Sequence, residues 1–309
     1  MDFDPRLLPF RSVSQLATEN PRRAYFLIVL ASALFSAMFA VVKLLPARVA
    51  SSEVLCLRGL IGVAGAGLVI AMTGQRWRPG PLGINLLRSG CGFASVLTQY
   101  YSVHEAGAEL ATANLLVQGA PLWIVLLSAA LLGERPSRRT KWALAAGLVG
   151  TALALGPSGA GERTGLLLAL VSGGFSALAL LSVRKLASTE SPASVVMFFM
   201  GFSALAAAPF AGSSLYRHGM WTAHEVSALV AIGVLGTAGQ LVMTEAYRYG
   251  SAASVSIAGL SQVAFSALLS FGVLGAPAPS IGAIAGGIIV LAAGLVSVQP
   301  WRAAATTAA

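Results

Sequence analysis

The sequence predicts an all-α integral membrane protein, in which ten transmembrane helices form two inverted five-helix repeats around a central cavity. Three observations predict this fold class: few charged residues, a series of long apolar segments, and a pattern that occurs twice. Charged residues make up 10% of the 309 residues and apolar residues 56%, whereas a soluble domain has about 25% charged residues. A soluble domain of this length would need far more polar surface.

Ten apolar segments are long enough to cross a bilayer, because a transmembrane helix needs about 20 mostly apolar residues. They cover residues 24–44, 54–73, 82–103, 110–132, 141–157, 164–183, 193–213, 224–246, 253–274 and 280–298. The connections are short, so no domain outside the membrane is expected. The chain is expected to consist of an N-terminal tail, two repeats and a C-terminal tail, with bounds 1–23, 24–157, 164–298 and 299–309.

Basic residues predict how the chain crosses the membrane. If the N-terminus lies in the cytoplasm, fourteen Lys and Arg residues fall in cytoplasmic segments and four in outer ones, which agrees with the positive-inside rule. Together with the high Ala and Gly content, this predicts a multi-pass protein of the bacterial inner membrane with both termini in the cytoplasm. These loops account for the net charge of +9, so the lipid bilayer, and not nucleic acid, is the expected partner.

A short pattern occurs twice in the chain. Ser-x-x-Phe-Ser-Ala begins at Ser32 in the first apolar segment and at Ser172 in the sixth, 140 residues later. The polar positions of the third segment return in the eighth, and the end of the fourth segment resembles the end of the ninth. Each repeat holds five segments, an odd number, so the second repeat must enter the membrane in the opposite orientation. Inverted repeats around a midplane site are typical of transporters that work by alternating access.

Polar and aromatic side chains recur at helical spacing within several segments, which places them on shared helix faces. The polar candidates for a binding site are Ser32, Ser36, Ser95, Gln99, Asn114, Gln118, Ser176, Gln240 and Thr244, and the aromatic candidates are Phe35, Phe39, Tyr100, Tyr101 and Phe175. Polar groups in a bilayer need hydrogen bonds. They can bond neighbouring helices to each other, or they can line a polar cavity that binds a small solute. Taken as a set, they favour the cavity.

Charged residues inside the segments are few. Arg58 and Arg88 each lie about six residues into a segment, so we expect both side chains to snorkel to the membrane interface. Glu245 lies one turn from Arg248, which predicts an ion pair. No Asp follows Asp4, so no carboxylate is expected at mid-membrane, and obligatory proton coupling through such a group is not favoured.

The sequence does not predict an enzyme, a metal site or another cofactor. The two cysteines and three histidines do not cluster, as metal ligands would. An intramembrane enzyme needs a nucleophile and a base, or metal ligands, at depth. No His or Asp lies deep in an apolar segment.

Several motifs resemble those of a known family. Between Tyr100 and Leu155 the chain combines small residues after the third segment, Pro121 in the fourth, Gly133 and Glu134 at its end, and a Gly-rich fifth segment. The second segment reads LCLRGLIGVAGAGL. These features resemble the EamA module of the drug/metabolite transporter superfamily, and two such modules cover essentially the whole chain.

The second module departs from this pattern. Ala276 stands where Glu134 stands in the first module, and no proline matches Pro121. Any role of Glu134 is then confined to the first half. Its alternative interpretation is a helix-end charge among neighbouring arginines.

The resemblance implies ten helices around a central cavity and transport by alternating access. It is nearest to bacterial exporters of amino acids and metabolites, including the YddG-type aromatic amino acid exporters. The expected function is therefore a secondary transporter, a monomer, that exports amino acids, aromatic ones included, or related small metabolites. The alternatives are an exporter of drugs or toxic organic cations and a passive channel, although no charged ring or filter-like sequence is evident.

Overall fold

A computed structural model of the chain describes residues 20–46, 48–74, 77, 80–104, 119–134, 136–155, 163–273 and 281–298. Within these ranges the regular structure is helical, with no β-strand. The helices of the described ranges are α1 (Pro21–Lys43), α2 (Ser51–Thr73), α3 (Leu82–His104), α4 (Ala120–Leu132), α5 (Arg138–Leu155), α6 (Arg163–Leu186), α7 (Pro192–His218), α8 (Ala223–Tyr249), α9 (Ala252–Gly259), α10 (Ser261–Gly272) and α11 (Ile281–Val298).

The helices follow the expected apolar segments, with two qualifications. The fourth segment is described only from Gly119 onwards, and the ninth is divided at Leu260 into α9 and α10. By length and apolar composition, five helical segments of the described chain could cross a membrane: those within α1, α2, α7 and α8, and residues 252–269. The all-helical membrane fold is thus confirmed, and the total of ten spans stays a prediction.

The ends of the helices follow from local sequence. Pro21 begins α1, and the Asn20 side chain accepts a hydrogen bond from the backbone N–H of Arg23 at 3.1 Å. Thr222 and Glu225 form a capping box at the start of α8, which satisfies backbone groups that a helix start leaves unpaired.

The helices pack side by side in a ring. In order around it, the neighbours in contact are α1, α8, α2, α7, α3, α6, α4 and the pair α9 and α10, which packs back on α1. Helix α5 packs extensively on α11, which in turn packs on α9 and α10. We call the end of the ring at which α1 begins the lower end, and the opposite one the upper end.

The two halves of the chain alternate around this ring. Each of α1 to α4, from the first half, lies between helices of the second half. Helix α3 packs extensively on α6, and its counterpart α8 packs extensively on α1, the counterpart of α6. The contacts α2–α7 and α5–α11 each join a helix to its own counterpart in the other half. This exchange of partners is the pattern that a two-fold relation between inverted repeats requires.

Small residues allow α2 and α7 to approach closely. A Cβ atom at Gly59 would lie 2.7 Å from the backbone oxygen of Met200 and 2.8 Å from the Cβ of Ala204. One turn further on, a Cβ at Gly62 would lie 2.4 Å from the Met200 side chain. Close packing of this kind is the main source of helix association in a membrane, so these glycines hold α2 against α7.

We expect Gly59→Ala to lower the free energy of unfolding by about 1–3 kcal/mol, because the added methyl group meets backbone atoms of α7. Gly67→Ala is the matched control, since it adds the same group to α2 at a place with nothing within 4 Å. Thermal unfolding in detergent should show a lower midpoint for Gly59→Ala and little change for Gly67→Ala. Equal midpoints would contradict the close contact.

The connection between α6 and α7 is fastened to the start of α3. Glu190, in that connection, is 5% exposed. Its carboxylate accepts a hydrogen bond from Asn85 Nδ2 at 2.8 Å and another from the backbone N–H of Gly80. Burial nevertheless raises the pKa of the Glu190 carboxyl above its usual range, because the charged form is disfavoured away from water.

This raised pKa predicts a pH dependence of stability. The Glu190 carboxyl contributes stability below its unfolded pKa, and this contribution is lost as the pH rises through the higher folded pKa. The side chain of Glu190→Gln does not titrate. As the pH is raised from about 4 to about 8, the unfolding midpoint of the wild type should therefore fall relative to that of Glu190→Gln. A constant difference between the two midpoints across this range would contradict the prediction.

Candidate functional site

Two predicted site serines lie at the break between α9 and α10. Ser32 and Ser36 on α1 are 2% and 1% exposed. The Ser32 hydroxyl donates to the Gly259 carbonyl oxygen at 3.3 Å, and the Ser36 hydroxyl donates to that of Gln262 at 3.0 Å. Gly259 is the last residue of α9, so its carbonyl lacks the usual partner within the helix. Both serines thus bond helix to helix in this structure. A substrate contact by either stays a prediction.

Ser95 is also engaged between helices. Its hydroxyl donates to the Ser172 carbonyl oxygen at 3.0 Å, and the Ser172 hydroxyl donates to the Ser95 carbonyl oxygen at 2.7 Å. This reciprocal pair joins α3 to α6. Thr244 is fully buried, and its hydroxyl donates to the Gln240 carbonyl oxygen of its own helix at 2.7 Å.

The structure describes the side chains of three predicted aromatic residues, Phe35, Phe39 and Phe175. Phe35 packs over Gly239, where a Cβ atom would lie 2.8 Å from its ring. Phe39 is 39% exposed, and Phe175 and Ser176 are half-buried. The remaining candidates fall outside the part that can be described: these are Asn114 and Gln118, together with the side chains of Gln99, Tyr100 and Tyr101.

Arg88 points into the ring, and the expectation that it snorkels to the interface is wrong. Its side chain is 3% exposed. One guanidinium N–H₂ group donates to Gln240 Oε1 at 3.0 Å, and the Arg88 Cζ lies 3.6 Å from the centre of the Phe199 ring. Gly92 leaves room for this arrangement, because a Cβ there would lie 2.7 Å from Arg88. Helices α3 and α8 are not neighbours around the ring, so this hydrogen bond crosses its interior.

Arg58 reaches the same region from α2. Its Nε lies against Gly236 of α8, where a Cβ atom would be 2.6 Å away. It also lines a cavity of about 10 Å³, between α2, α3 and α7, together with Leu55, Phe93, Val96, Phe199, Met200 and Ser203. The Phe199 ring, on which the Arg88 guanidinium lies, lines this same cavity. Both cationic groups therefore lie near one aromatic ring.

These arginines are the site residues that sequence reasoning missed. The signal was present, because Arg88, Gly92 and Ser95 recur at helical spacing in the third apolar segment. However, Arg58 and Arg88 each lie only about six residues from the end of an apolar segment, and this short distance favoured snorkelling to the membrane interface. Among the predicted residues whose side chains the structure describes, Gln240 accepts a hydrogen bond from Arg88.

Ionic contacts join the two halves at the upper end. Arg48, in the connection between α1 and α2, bonds the Glu225 carboxylate at the start of α8, with Arg48 Nε 2.7 Å from Glu225 Oε1. The hydrogen bond raises the pKa of the Arg48 guanidinium. Trp221 Nε1 donates to Glu53 Oε2 at 3.0 Å, so two first-half groups are bound to the start of α8.

At the lower end, Glu134 connects the first half to the second. Its carboxylate lies 2.8 Å from Arg184 Nε and accepts a hydrogen bond from the backbone N–H of Ala252, at the start of α9, at 2.9 Å. Arg184 also donates to the Tyr247 carbonyl oxygen at 2.7 Å. Glu134 therefore stands just beyond the end of α4 and also bonds the second half of the chain. The predicted pair of Glu245 with Arg248 is confirmed, at 3.3 Å.

No group of three or more metal-ligating side chains occurs in the described ranges. What the described interior offers a ligand is cationic and aromatic: two guanidinium groups, the ring of Phe199 and the ring of Phe93. Such a set can bind an anionic or aromatic group of a small molecule.

Comparisons with known proteins agree with this architecture. The chain is 28% identical over 268 residues to the pseudopaline exporter CntI of Pseudomonas aeruginosa, covering 86% of this chain and 93% of the exporter. It is 30% identical over 175 residues to an uncharacterized transporter of Helicobacter pylori, covering 53% and 56% of the two chains. One crystal structure superposes with a TM-score of 0.70 at 22% identity, over 88% of this chain and 94% of the other.

The family model for EamA-like transporters matches the chain twice, over residues 22–156 and 163–298. Together these two matches cover nearly all of the sequence. The chain therefore belongs to the EamA-like transporter family.

Proposed function

We propose that this protein exports amino acids, aromatic ones included, or related small metabolites across the bacterial inner membrane by alternating access. Family membership and the exporter relatives support transport of a small molecule. The observation that carries the mechanism is the pair of ionic contacts between the halves, Arg48 with Glu225 at one end and Glu134 with Arg184 at the other. A transporter that opens its ends in turn needs bonds of this kind that break and re-form.

The distribution of basic residues supports placing the lower end in the cytoplasm. In that orientation, the Glu134–Arg184 pair closes the cytoplasmic entrance, and the Arg48–Glu225 pair closes the outer exit. The expected repeats, 24–157 and 164–298, would each supply one partner of both pairs.

The two other candidate functions have less support. A passive channel needs a continuous path, and ionic contacts at both ends oppose one. An exporter of organic cations needs an anionic group at its site. The charged groups described inside the ring, Arg58 and Arg88, are cationic and would repel such a substrate.

Counterflow in proteoliposomes tests the substrate. Vesicles loaded with unlabelled amino acids should take up labelled phenylalanine or tryptophan saturably. Gln99→Ala and Gln118→Ala should each weaken this exchange roughly tenfold, the effect of losing one hydrogen bond to a charged substrate group. Gln75→Ala, in a predicted loop, is the control and should exchange normally. Absence of exchange for every amino acid would refute the substrate class, and unsaturable flux would favour the channel.

Thiol labelling tests the lower contact. Cys56→Ser leaves Cys91 of α3 as the single thiol. In this background Glu134→Gln should speed labelling of Cys91 by a water-soluble maleimide tenfold or more, because removing one partner of a largely buried ion pair costs several kcal/mol. Glu245→Gln breaks a more exposed pair at the same end and should change the rate little. Equal rates in the two variants would show that the Glu134 pair does not guard an entrance.

A further inference from the structure

We propose that Arg58 and Arg88 together form a binding site for a carboxylate group inside the ring. The inference rests on the proposed transport function and deepens it, since it names the chemical group of the substrate that the two guanidinium groups would hold. Nothing in the comparisons assigns this role to either residue.

The first argument is position. Arg88 lies six residues after the start of α3 at the lower end, about 9 Å along the helix axis, and Arg58 lies seven residues after the start of α2 at the upper end, about 10 Å along. The two long side chains therefore approach the middle of the bundle from opposite ends. There both come near the Phe199 ring, which contacts the Arg88 guanidinium and lines the cavity beside Arg58.

The second argument is charge. No described carboxylate lies within salt-bridge distance of Arg88, and its one hydrogen-bonded partner, Gln240, is neutral. Placing the positive charge of Arg88 in a low-dielectric interior is costly unless an anion compensates it. A bound carboxylate would supply that anion, and its two oxygens match the planar fork of a guanidinium group.

The third argument is unused hydrogen-bonding capacity. Within the described chain, Arg88 Nε and Ser203 Oγ are buried and have no hydrogen-bond partner. Ser203 lines the same cavity as Arg58. Buried donors without partners are uncommon in folded proteins. Here one belongs to the Arg88 guanidinium and the other lies in the cavity that Arg58 lines, as donors for a ligand oxygen would.

The fourth argument is the apolar remainder of the wall. Phe93 and Phe199 line the cavity, and the Phe199 ring carries the Arg88 guanidinium on its face. Leu55, Val96 and Met200 complete this wall. A cavity of about 10 Å³ has room for no more than one water molecule, so α2, α3 and α7 must part to admit an amino acid. Separation of these helices would accompany the opening of one end.

The test measures unfolding midpoints of the purified full chain in neutral detergent with three probes at equal ionic strength. Sodium benzoate presents a carboxylate on an aromatic ring, benzamide is its neutral counterpart, and sodium chloride is a simple anion. Benzoate should raise the midpoint saturably, as ligands of the folded state do, and the other two should not. Equal stabilisation by chloride, or by benzamide, would overturn the assignment of a carboxylate.

Variants then locate the effect. Arg88→Gln should raise the half-saturating benzoate concentration roughly tenfold or more, and Arg88→Lys, which keeps the charge but lacks the fork, should fall between Arg88→Gln and the wild type. Arg23→Gln is the control, because Arg23 also lies over an aromatic ring, Tyr249, but is 53% exposed and paired with Glu245. If Arg88→Gln does not fold, Arg58→Gln takes its place. A wild-type response in these variants would overturn the proposal.

The outcome is separate from that of the exchange assay. If no amino acid is exchanged but benzoate stabilises the protein through Arg88, the carboxylate site stands and the substrate is a different carboxylate. If amino acids are exchanged and benzoate has no effect, the carboxylate binds elsewhere and this inference is wrong.

Discussion

Close approach of helices from opposite halves is the constraint on which the rest of the structure depends. Gly59 and Gly62 bring α2 against Met200 of α7. At the other pair of corresponding helices, Gly150 of α5 leaves space for the Gly286 carbonyl of α11, which would lie 2.9 Å from an added Cβ. Apolar side chains gain little by leaving lipid for protein, so tight packing of this kind supplies much of the association energy. Both contacts relate a helix to its counterpart, and they therefore position the two halves.

Polar groups inside the ring divide into two classes. The hydroxyls of Ser32, Ser36 and Ser95 donate hydrogen bonds to carbonyl oxygens of neighbouring helices. In this structure their donor hydrogens therefore hold the helices together. The guanidinium of Arg88 has a donor, Nε, without a partner among the described residues, and it is held by an amide and an aromatic ring. The first class stabilises one arrangement of helices. The second class leaves the positive charge of Arg88 inside the ring. The group that compensates this charge can differ between conformations.

Apolar segment length, set by bilayer thickness, predicted the helices well, and the repeated pattern predicted their paired organisation. Helical periodicity also placed Arg88 and Ser95 on one face, because that depends only on neighbours along the chain. It did not identify their partners, since Gln240 and Ser172 lie far away in sequence and meet them only through packing. The break at Leu260 was equally hidden, because it falls within an apolar segment without proline. What sequence reasoning lacked was the arrangement of helices around the ring.

The alternation of halves around the ring has a consequence for biosynthesis. Among the described residues, α1, α2 and α3 make no substantial contact with one another and pack on α6, α7 and α8 instead. While the first half is being inserted, its helices have few partners, and glycine-lined faces such as that of Gly59 remain open to lipid. Packing must wait until the second half emerges from the ribosome. A chain that stops after the first half would then be a set of loosely associated helices, exposed to the proteases that remove unassembled membrane proteins, and the two halves would assemble only as a pair.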